Sequence, residues 1–446
     1  MEKRNHYGGA IYILILLFFM WGFLTSMNDI LVPHLKSAFT LKNWQAQLIQ
    51  FFFFLAYFVM SVPAGILIRR IGYKYGIVTG LALMGGACLL FIPATYIQVY
   101  AIFLVALFFL ASGITILQVA ANPYVAVLGE PETAASRLNL AQGFNSLGHT
   151  IAPLIGAWLI LQNTQEVDIS TIRMPYVVIA LTLFLCAGIF TFISLPEIHR
   201  EEEVDRLSFR LGDYPHLMMG AVAIFFYVGA EISVGSFLVE YFRGDPSIGL
   251  DTKTAGSYVA YYWGGAMVGR FLGAISLSGN KSLPQMIAIP LVAIGVVKLF
   301  LWTNGVDPSS ALGFDLMLVF NFLAFYLGRS VSNQQLALFA GINVLLLLTT
   351  MSTGGTVAIW SIIGIGLFNS IMWSNIFTLA IDKLGEYTSY GSSFLVMMIV
   401  GGALLPLLQG VVADIPAIGL KYCFVVPLLG YLYLVFYGLK GYQNET

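Results

Sequence analysis

An all-α, polytopic membrane protein is the fold class this sequence predicts, and three observations predict it. Apolar residues make up 59% of the 446 positions and charged residues only 10%, whereas an ordinary soluble domain carries about 25% charged residues. Mean hydropathy is +0.85. The apolar residues fall in runs of about 20, the length needed to cross a ~30 Å hydrocarbon core at ~1.5 Å per residue. The ~10-residue alternating segments of an outer-membrane barrel are absent.

Apolar windows bounded by Gly, Pro and charge place spans at 10–34, 45–68, 75–93, 98–127, 136–162, 174–195 and 216–243. They continue at 252–277, 284–303, 313–329, 334–351, 355–381, 388–412 and 417–439. That makes about fourteen spans, each long enough for a bilayer or nearly so. With the N-terminus placed inside, Arg69, Arg70, Lys74, Arg137, Arg200, Arg206 and Arg210 fall on the inner face, with Lys281, Arg329, Lys383 and Lys440. The outer face holds fewer: Lys36, Lys42, Arg173, Arg243, Lys253 and Lys421. This asymmetry satisfies the positive-inside rule, so both termini are expected in the cytoplasm of a bacterial-type inner membrane. Arg270 and Lys298 fall within spans and are read as snorkelling to an interface.

Several classes drop out. A net charge of -1 leaves no nucleic-acid footprint. Cys88, Cys186 and Cys423 sit in apolar runs without paired spacing, so no disulfide framework or metal site is expected. The first apolar run lacks a small-residue cleavage site and reads as a retained helix. There is no HExxH, GxSxG or GxxxxGK, so no catalytic residue, resident cofactor or ATP-driven pumping is expected. The chain is not expected to be an enzyme, and a monomer is expected.

The strongly charged run Pro196-Glu-Ile-His-Arg-Glu-Glu-Glu-Val-Asp-Arg-Leu-Ser-Phe-Arg210 divides the chain. It predicts an N-terminal bundle at 1–195, a cytoplasmic linker at 196–215 and a C-terminal bundle at 216–446. A weak internal echo fits two related halves. Asn122 and Pro153 keep the same interval as Asn375 and Pro406, and Gly148 and Gly401 hold the same register. Secondary transporters are often built from such repeats, with the site at their interface.

Polar residues inside spans are the candidates for chemistry. Asp29, beside Asn28, lies in the apolar run Trp21-Gly-Phe-Leu-Thr-Ser-Met-Asn-Asp-Ile-Leu-Val-Pro33. A carboxylate there costs roughly 2.5–3.5 kcal/mol, so it faces a cavity or a cation, or else reaches interfacial water at the helix end. Gln118 and Asn122 are four apart and share a helix face, and Pro123 frees a carbonyl one turn back. Asn139, Gln142, Asn145 and His149, spaced by three and four, make a second polar stripe. Such stripes either bond helix to helix or line a cavity, where amides that donate and accept suit sugar hydroxyls. Glu231 is a second carboxylate within a span, among small residues. Tyr261, Tyr262 and Trp263, and Asn369 with Trp373, set aromatics beside amides, which serves packing as readily as sugar stacking. The run Ala64-Gly65-Ile-Leu-Ile-Arg69-Arg70-Ile-Gly72-Tyr-Lys74 suits a tight basic turn between helices.

"MNDILVPHLKSAFTL", "YFVMSVPAGILIRRIGYKYGIVTGL", "ITILQVAANPYVAVLG", "RLNLAQGFNSLG" and "GLFNSIMWSNIFTLAI" occur in that order. Together they resemble the fucose/glucose/galactose branch of the major facilitator superfamily over nearly the whole chain. The resemblance implies a major facilitator fold of two six-helix bundles, alternating access and coupled uptake of a monosaccharide (glucose, galactose, fucose or N-acetylglucosamine). It implies that Asp29 binds sugar and couples the cation, and that Gln142 and Asn145 line the sugar cavity. Gln118 departs from the fucose symporters, which resemble this motif but carry a glutamate there. An amide cannot titrate, so the coupling ion, H⁺ or Na⁺, is left to Asp29 or Glu231.

The substrate-binding set expected is Asp29, Asn28, Gln118, Asn122, Gln142, Asn145, Asn369 and Trp373, with cation coupling at Asp29 and Glu231. Na⁺, if it is the ion, is expected at one of those two carboxylates. The other expected contact is the lipid bilayer. The branch usually has twelve helices, so the apolar pair at about 284–329 reads as an inserted hairpin packed outside the bundle. The alternative reading keeps the fold and makes the chain an exporter of a drug or metabolite.

Overall fold

The structure is a computed structural model. It describes residues 3–41, 43–160, 169–192, 210–278, 282–303, 307–328 and 331–443. The side chains of 3–10, 27–34, 43–47 and 153–160, with a few shorter stretches, lie outside that description, as does nearly all of the charged run at 196–210.

The described residues are helical almost throughout. The first half holds α1 (Lys3–Ala38), α2 (Asn43–Ile97), α3 (Tyr100–Val127), α4 (Ala134–Ile160) and α5 (Arg173–Phe192). There follow α6 (Pro215–Gly244), α7 (Thr252–Ser276), α8 (Leu283–Thr303), α9 (Leu312–Leu327) and α10 (Ser332–Ser352). The chain then runs through α11 (Gly355–Asn369), α12 (Met372–Ile381), α13 (Thr388–Met397) and α14 (Gly401–Ala413). It closes with α15 (Gly419–Tyr422), α16 (Val425–Phe436) and a π-helical turn at Tyr437–Gly441.

Among the described residues, nine helices are long and apolar enough to cross a membrane, and Ile11–Ser26 and Leu283–Leu299 are shorter apolar helices. The protein is a multi-pass membrane protein. The tally by length and apolarity is below the fourteen windows, partly because α2 runs through two of them. Gly72 breaks α2 with φ +82 and ψ 164. A left-handed φ costs a residue without Cβ nothing, so the turn falls at this glycine of the basic run.

An apolar solvent demands that every polar group be met internally. The hydroxyls comply by bonding back one turn, as Thr25 does to the Trp21 carbonyl (3.0 Å) and Thr115 to Ala111 (2.8 Å). The faces left over are greasy: Val178, Leu181, Leu185, Ile189 and Phe192 of α5 are all exposed.

By contact the chain forms two compact units. One comprises 1–129, 147–213 and 381–400; the other comprises 130–146, 214–380 and 401–446. In the first unit α2 and α3 meet backbone to backbone, since a Cβ on Gly80 would stand 3.0 Å from the Gly113 carbonyl. Helix α13 packs on them as well: Ser392 donates to the Val119 carbonyl (3.2 Å), and Arg69 lies 5.1 Å from the Tyr390 ring centre. In the second unit, a Cβ on Gly269 or Gly273 would strike Ser370 or Ile371, so α7 lies tight against the break between α11 and α12.

The helix pair expected outside the bundle is not wholly peripheral. Helix α8 turns Leu291, Val292, Val296 and Leu299 outward, as expected. Helix α9 is built into its unit: Asn321 is fully buried and donates to the Leu367 carbonyl (3.3 Å), and Phe314 packs on Tyr261 (5.0 Å). Lys298 pairs with Asp315 of α9 at 2.6 Å.

Candidate functional site

Helix α3 carries the first group of polar candidates. Gln118 and Asn122 are both buried. Gln118 Nε2 donates to the Tyr57 hydroxyl of α2 at 2.9 Å. Asn122 is different: it is fully buried, and neither its Oδ1 nor its Nδ2 has a hydrogen-bond partner among the described residues. Leaving a buried polar group unpaired costs about 1–3 kcal/mol, so a side chain with both ends open is poised for a polar ligand. Pro123 sits next to it inside the helix. Asp29 and Asn28 belong to the helical backbone of α1, but their side chains lie outside the described residues.

The second unit holds the rest. On α4, Gln142 and Asn145 are buried, and Asn139 is fully buried with both amide atoms unpartnered among the described residues. Glu231 of α6 is 8% exposed, and its Oε1 lies 3.5 Å from Arg270 of α7. The expectation of a snorkelling Arg270 does not hold: the structure buries it against a carboxylate. It also donates to the Ser146 hydroxyl of α4, one residue beyond Asn145. Tyr262 donates to the Glu231 carbonyl at 3.0 Å, and the Tyr227 hydroxyl stands beside the carboxylate.

Asn369 closes α11 at a break in which Ser370 and Ile371 leave the helix. It is the hub of a saturated network. Its Oδ1 accepts from Asn343 and from the Tyr431 hydroxyl, each at 2.8 Å, and its Nδ2 donates to Tyr262 at 3.0 Å. Its carbonyl accepts from Tyr227 at 3.3 Å. Beyond the break, Trp373 is buried and stacks on Phe377 (6.1 Å, 24°), with Nε1 unpartnered among the described residues.

Gln118 and Asn122 are thus gathered in one unit, and Gln142, Asn145, Glu231, Asn369 and Trp373 in the other. Tyr57 in the first unit, and Arg270, Tyr227, Tyr262, Asn343 and Tyr431 in the second, partner these residues and are not among the expected site residues. Tyr262 was visible as an aromatic beside amides. The position of Arg270 in "GGAMVGRFLGA", within a span, was the one signal available for it.

An apolar helical chain with broken helices, unpartnered buried amides and an ion pair within its spans defines a polytopic membrane protein with a polar interior. Comparison with known proteins gives the family: residues 14–341 match the Major Facilitator Superfamily, and the chain belongs to it. It is 46% identical to a glucose/galactose transporter of Brucella abortus, over 99% of this chain and 96% of that one. A putative glucose/galactose transporter of Helicobacter pylori is 38% identical over 98% of this chain and 97% of that one. The L-fucose-proton symporter of Escherichia coli is 33% identical over 90% and 86%. Among solved structures, the superfamily transporter FucP in the outward conformation matches with a TM-score of 0.81 at 30% identity, covering 98% of this chain and all of that one.

Proposed function

We propose that this protein imports a monosaccharide of the glucose, galactose, fucose or N-acetylglucosamine class by symport with H⁺ or Na⁺. The observation that carries the reading is Asn122, a fully buried amide with both ends unpartnered among the described residues. A sugar hydroxyl both donates and accepts, which suits such a group. Relatives named as glucose/galactose transporters and fucose-proton symporters, similar over nearly their whole length, support the substrate class.

In this proposal the chain forms two six-helix bundles, 1–195 and 216–446, joined by a cytoplasmic linker at 196–215, with the helix pair near 284–329 added to make fourteen spans. Both termini face the cytoplasm, the membrane is a bacterial inner membrane and the protein works as a monomer. Gln118, Asn122, Gln142 and Asn145 contact the sugar, with Asn28 and Trp373. The Asn369 amide, committed to its network, orients the ring of partners rather than gripping the sugar. Asp29 or Glu231 takes the cation, which is cargo; no resident cofactor is part of the reading. Coupling follows if joint loading favours reorientation more than either ligand alone.

The test is uptake of labelled glucose, galactose, fucose and N-acetylglucosamine into vesicles under imposed pH or Na⁺ gradients. Accumulation of at least one under one gradient is expected; no hexose uptake under either would remove the proposal. If Asp29 handles the cation, Asp29→Asn should abolish accumulation and retain counterflow. Unchanged gradient-driven uptake in that variant would assign the ion to Glu231.

A further inference from the structure

Arg270 faces acceptors on two different helices. On one side is Glu231 of α6, 3.5 Å away; on the other is the Ser146 hydroxyl of α4, to which it donates. Neither grip is complete, because Glu231 Oε1 and Arg270 Nε lack a hydrogen-bond partner among the described residues. Ser146 donates its own proton to the Gln142 carbonyl at 3.0 Å, and its oxygen accepts from the arginine.

The two helices touch along this length. Ser136 donates to the Ala274 carbonyl, Phe144 meets Phe271 edge-on at 5.5 Å, and a Cβ on Gly273 would stand 3.6 Å from the Asn139 amide. By contact, α4 belongs to this unit as far as Ser146 and leaves it from Leu147 onward. Arg270 therefore holds α4 at the last of its residues that belongs to this unit.

We propose that Arg270 is a positioning relay: it ties α7 to α4 while Glu231 is ionised, and lets α4 go when Glu231 takes up the coupling cation. This rests on the reading that Glu231 carries that cation. With Glu231 ionised, the pair is neutral as a whole. With Glu231 neutralised, the guanidinium becomes a lone buried cation, an arrangement far more costly than a buried pair. Its escape is toward water, which draws it away from Ser146 and loosens α4 from α7.

Among the described residues, the surroundings offer Arg270 no substitute anion. On α6 and α7 the groups facing the carboxylate are Tyr227 and Tyr262, and on α16 it is Tyr431, all neutral donors. Helix α11 presents the Asn369 amide, and α14 has no ionisable side chain along its length. Helix α15 packs at the Gly244 end of α6, and Tyr437 of the π-turn packs near Gly220. On α4, Arg137 is held at the helix start by Glu130 and Thr133, and His149 lies three residues past Ser146. Asp315, on α9, is paired with Lys298.

Nitroxide labels on E132C and S278C, in full-length protein with its native cysteines replaced and reconstituted in nanodiscs, report the α4–α7 separation by pulsed dipolar spectroscopy. A longer-distance population should grow about threefold or more when Glu231 is neutralised, whether by lowering the pH or by adding Na⁺. E231Q should be long under every condition. S146A, a milder change, should lengthen the distance even when Glu231 is ionised, while R270K should restore part of the parent response. Distances that ignore pH and Na⁺ in the parent, or an E231Q that behaves like the parent, overturn the relay. Loss of gradient-driven uptake in E231Q with unmoved distances keeps Glu231 as the coupling group and still overturns the relay. Intact gradient-driven uptake in E231Q overturns the coupling role on which the relay rests.

Discussion

The amide on α3 and the amide at the end of α11 are both fully buried asparagines in apolar spans, yet they are opposites. Asn122 has no partner for either end of its side chain among the described residues. Asn369 has three partners for its side chain and a fourth for its carbonyl. Saturated polar networks rigidify and specify a packing arrangement, whereas an open amide costs stability and persists where it serves a ligand. In the proposed reading, Asn122 is therefore open to substrate, whereas Asn369 serves as scaffolding.

The largest effect should come from the charged part of that scaffold. Arg270→Ala leaves Glu231 buried without its ion-pair partner, which costs about 3–5 kcal/mol where such pairs are broken. Denaturation in detergent should register this, and the double variant with Glu231→Ala should recover most of the loss. A single variant as stable as the parent would show that the pair does not hold the unit together.

Next in size are the two glycines of the internal echo. A Cβ on Gly148 would stand 2.2 Å from the Phe19 carbonyl of α1, and one on Gly401 would stand 2.1 Å from the Phe225 carbonyl of α6. Each half thus presses an equivalent glycine against the backbone of its own opening helix. Gly148→Ala and Gly401→Ala should cost similar amounts, about 1–3 kcal/mol each, as overpacking does. If one is neutral while the other unfolds the protein, the two halves are not equivalent at this contact.

Much of this was legible in the sequence. Apolar windows placed the helices, and the Gly72 turn lay inside the basic run that suggested one. The Gly148–Gly401 register suggested two related halves, and each glycine presses on a backbone carbonyl. What stayed hidden depends on partners. Helical spacing tells which face a residue occupies but not what lies opposite, so Arg270 and Lys298 read as snorkelling when Glu231 and Asp315 wait on neighbouring helices. The break at Ser370–Ile371 has no glycine or proline to mark it, and Asn369 looked like a ligand for sugar because its four partners come from α6, α7, α10 and α16. Asn375, the echo of Asn122, is also half committed, donating to the Ser332 carbonyl at 3.0 Å.

The asparagine contrast can be tested directly. Asn369→Ala strands the Tyr262, Tyr431 and Asn343 groups and should lower stability by about 1–3 kcal/mol, with uptake falling in proportion to folded protein. Asn122→Ala removes no bond from the described structure, so its melting should match the parent within about 0.5 kcal/mol. Hexose uptake by that variant should nevertheless fall about tenfold, the worth of roughly one good hydrogen bond to substrate. Equal melting losses in the two variants would erase the distinction between scaffold and site.

Trp373→Phe should produce the smallest effect and probes the second half for a contribution to binding. It keeps a six-membered ring against Phe377 and removes the pyrrole part of the indole with its Nε1, which has no partner among the described residues. If that N–H meets a sugar hydroxyl, the half-saturating hexose concentration should rise a few-fold, about 0.5–1.5 kcal/mol, with maximal uptake per folded protein unchanged and only the modest melting loss of a small cavity. A change in melting alone would make Trp373 part of the packing. An unchanged half-saturation would confine hexose hydrogen bonding to other groups and sharpen the division of labour that Asn122 and Asn369 suggest.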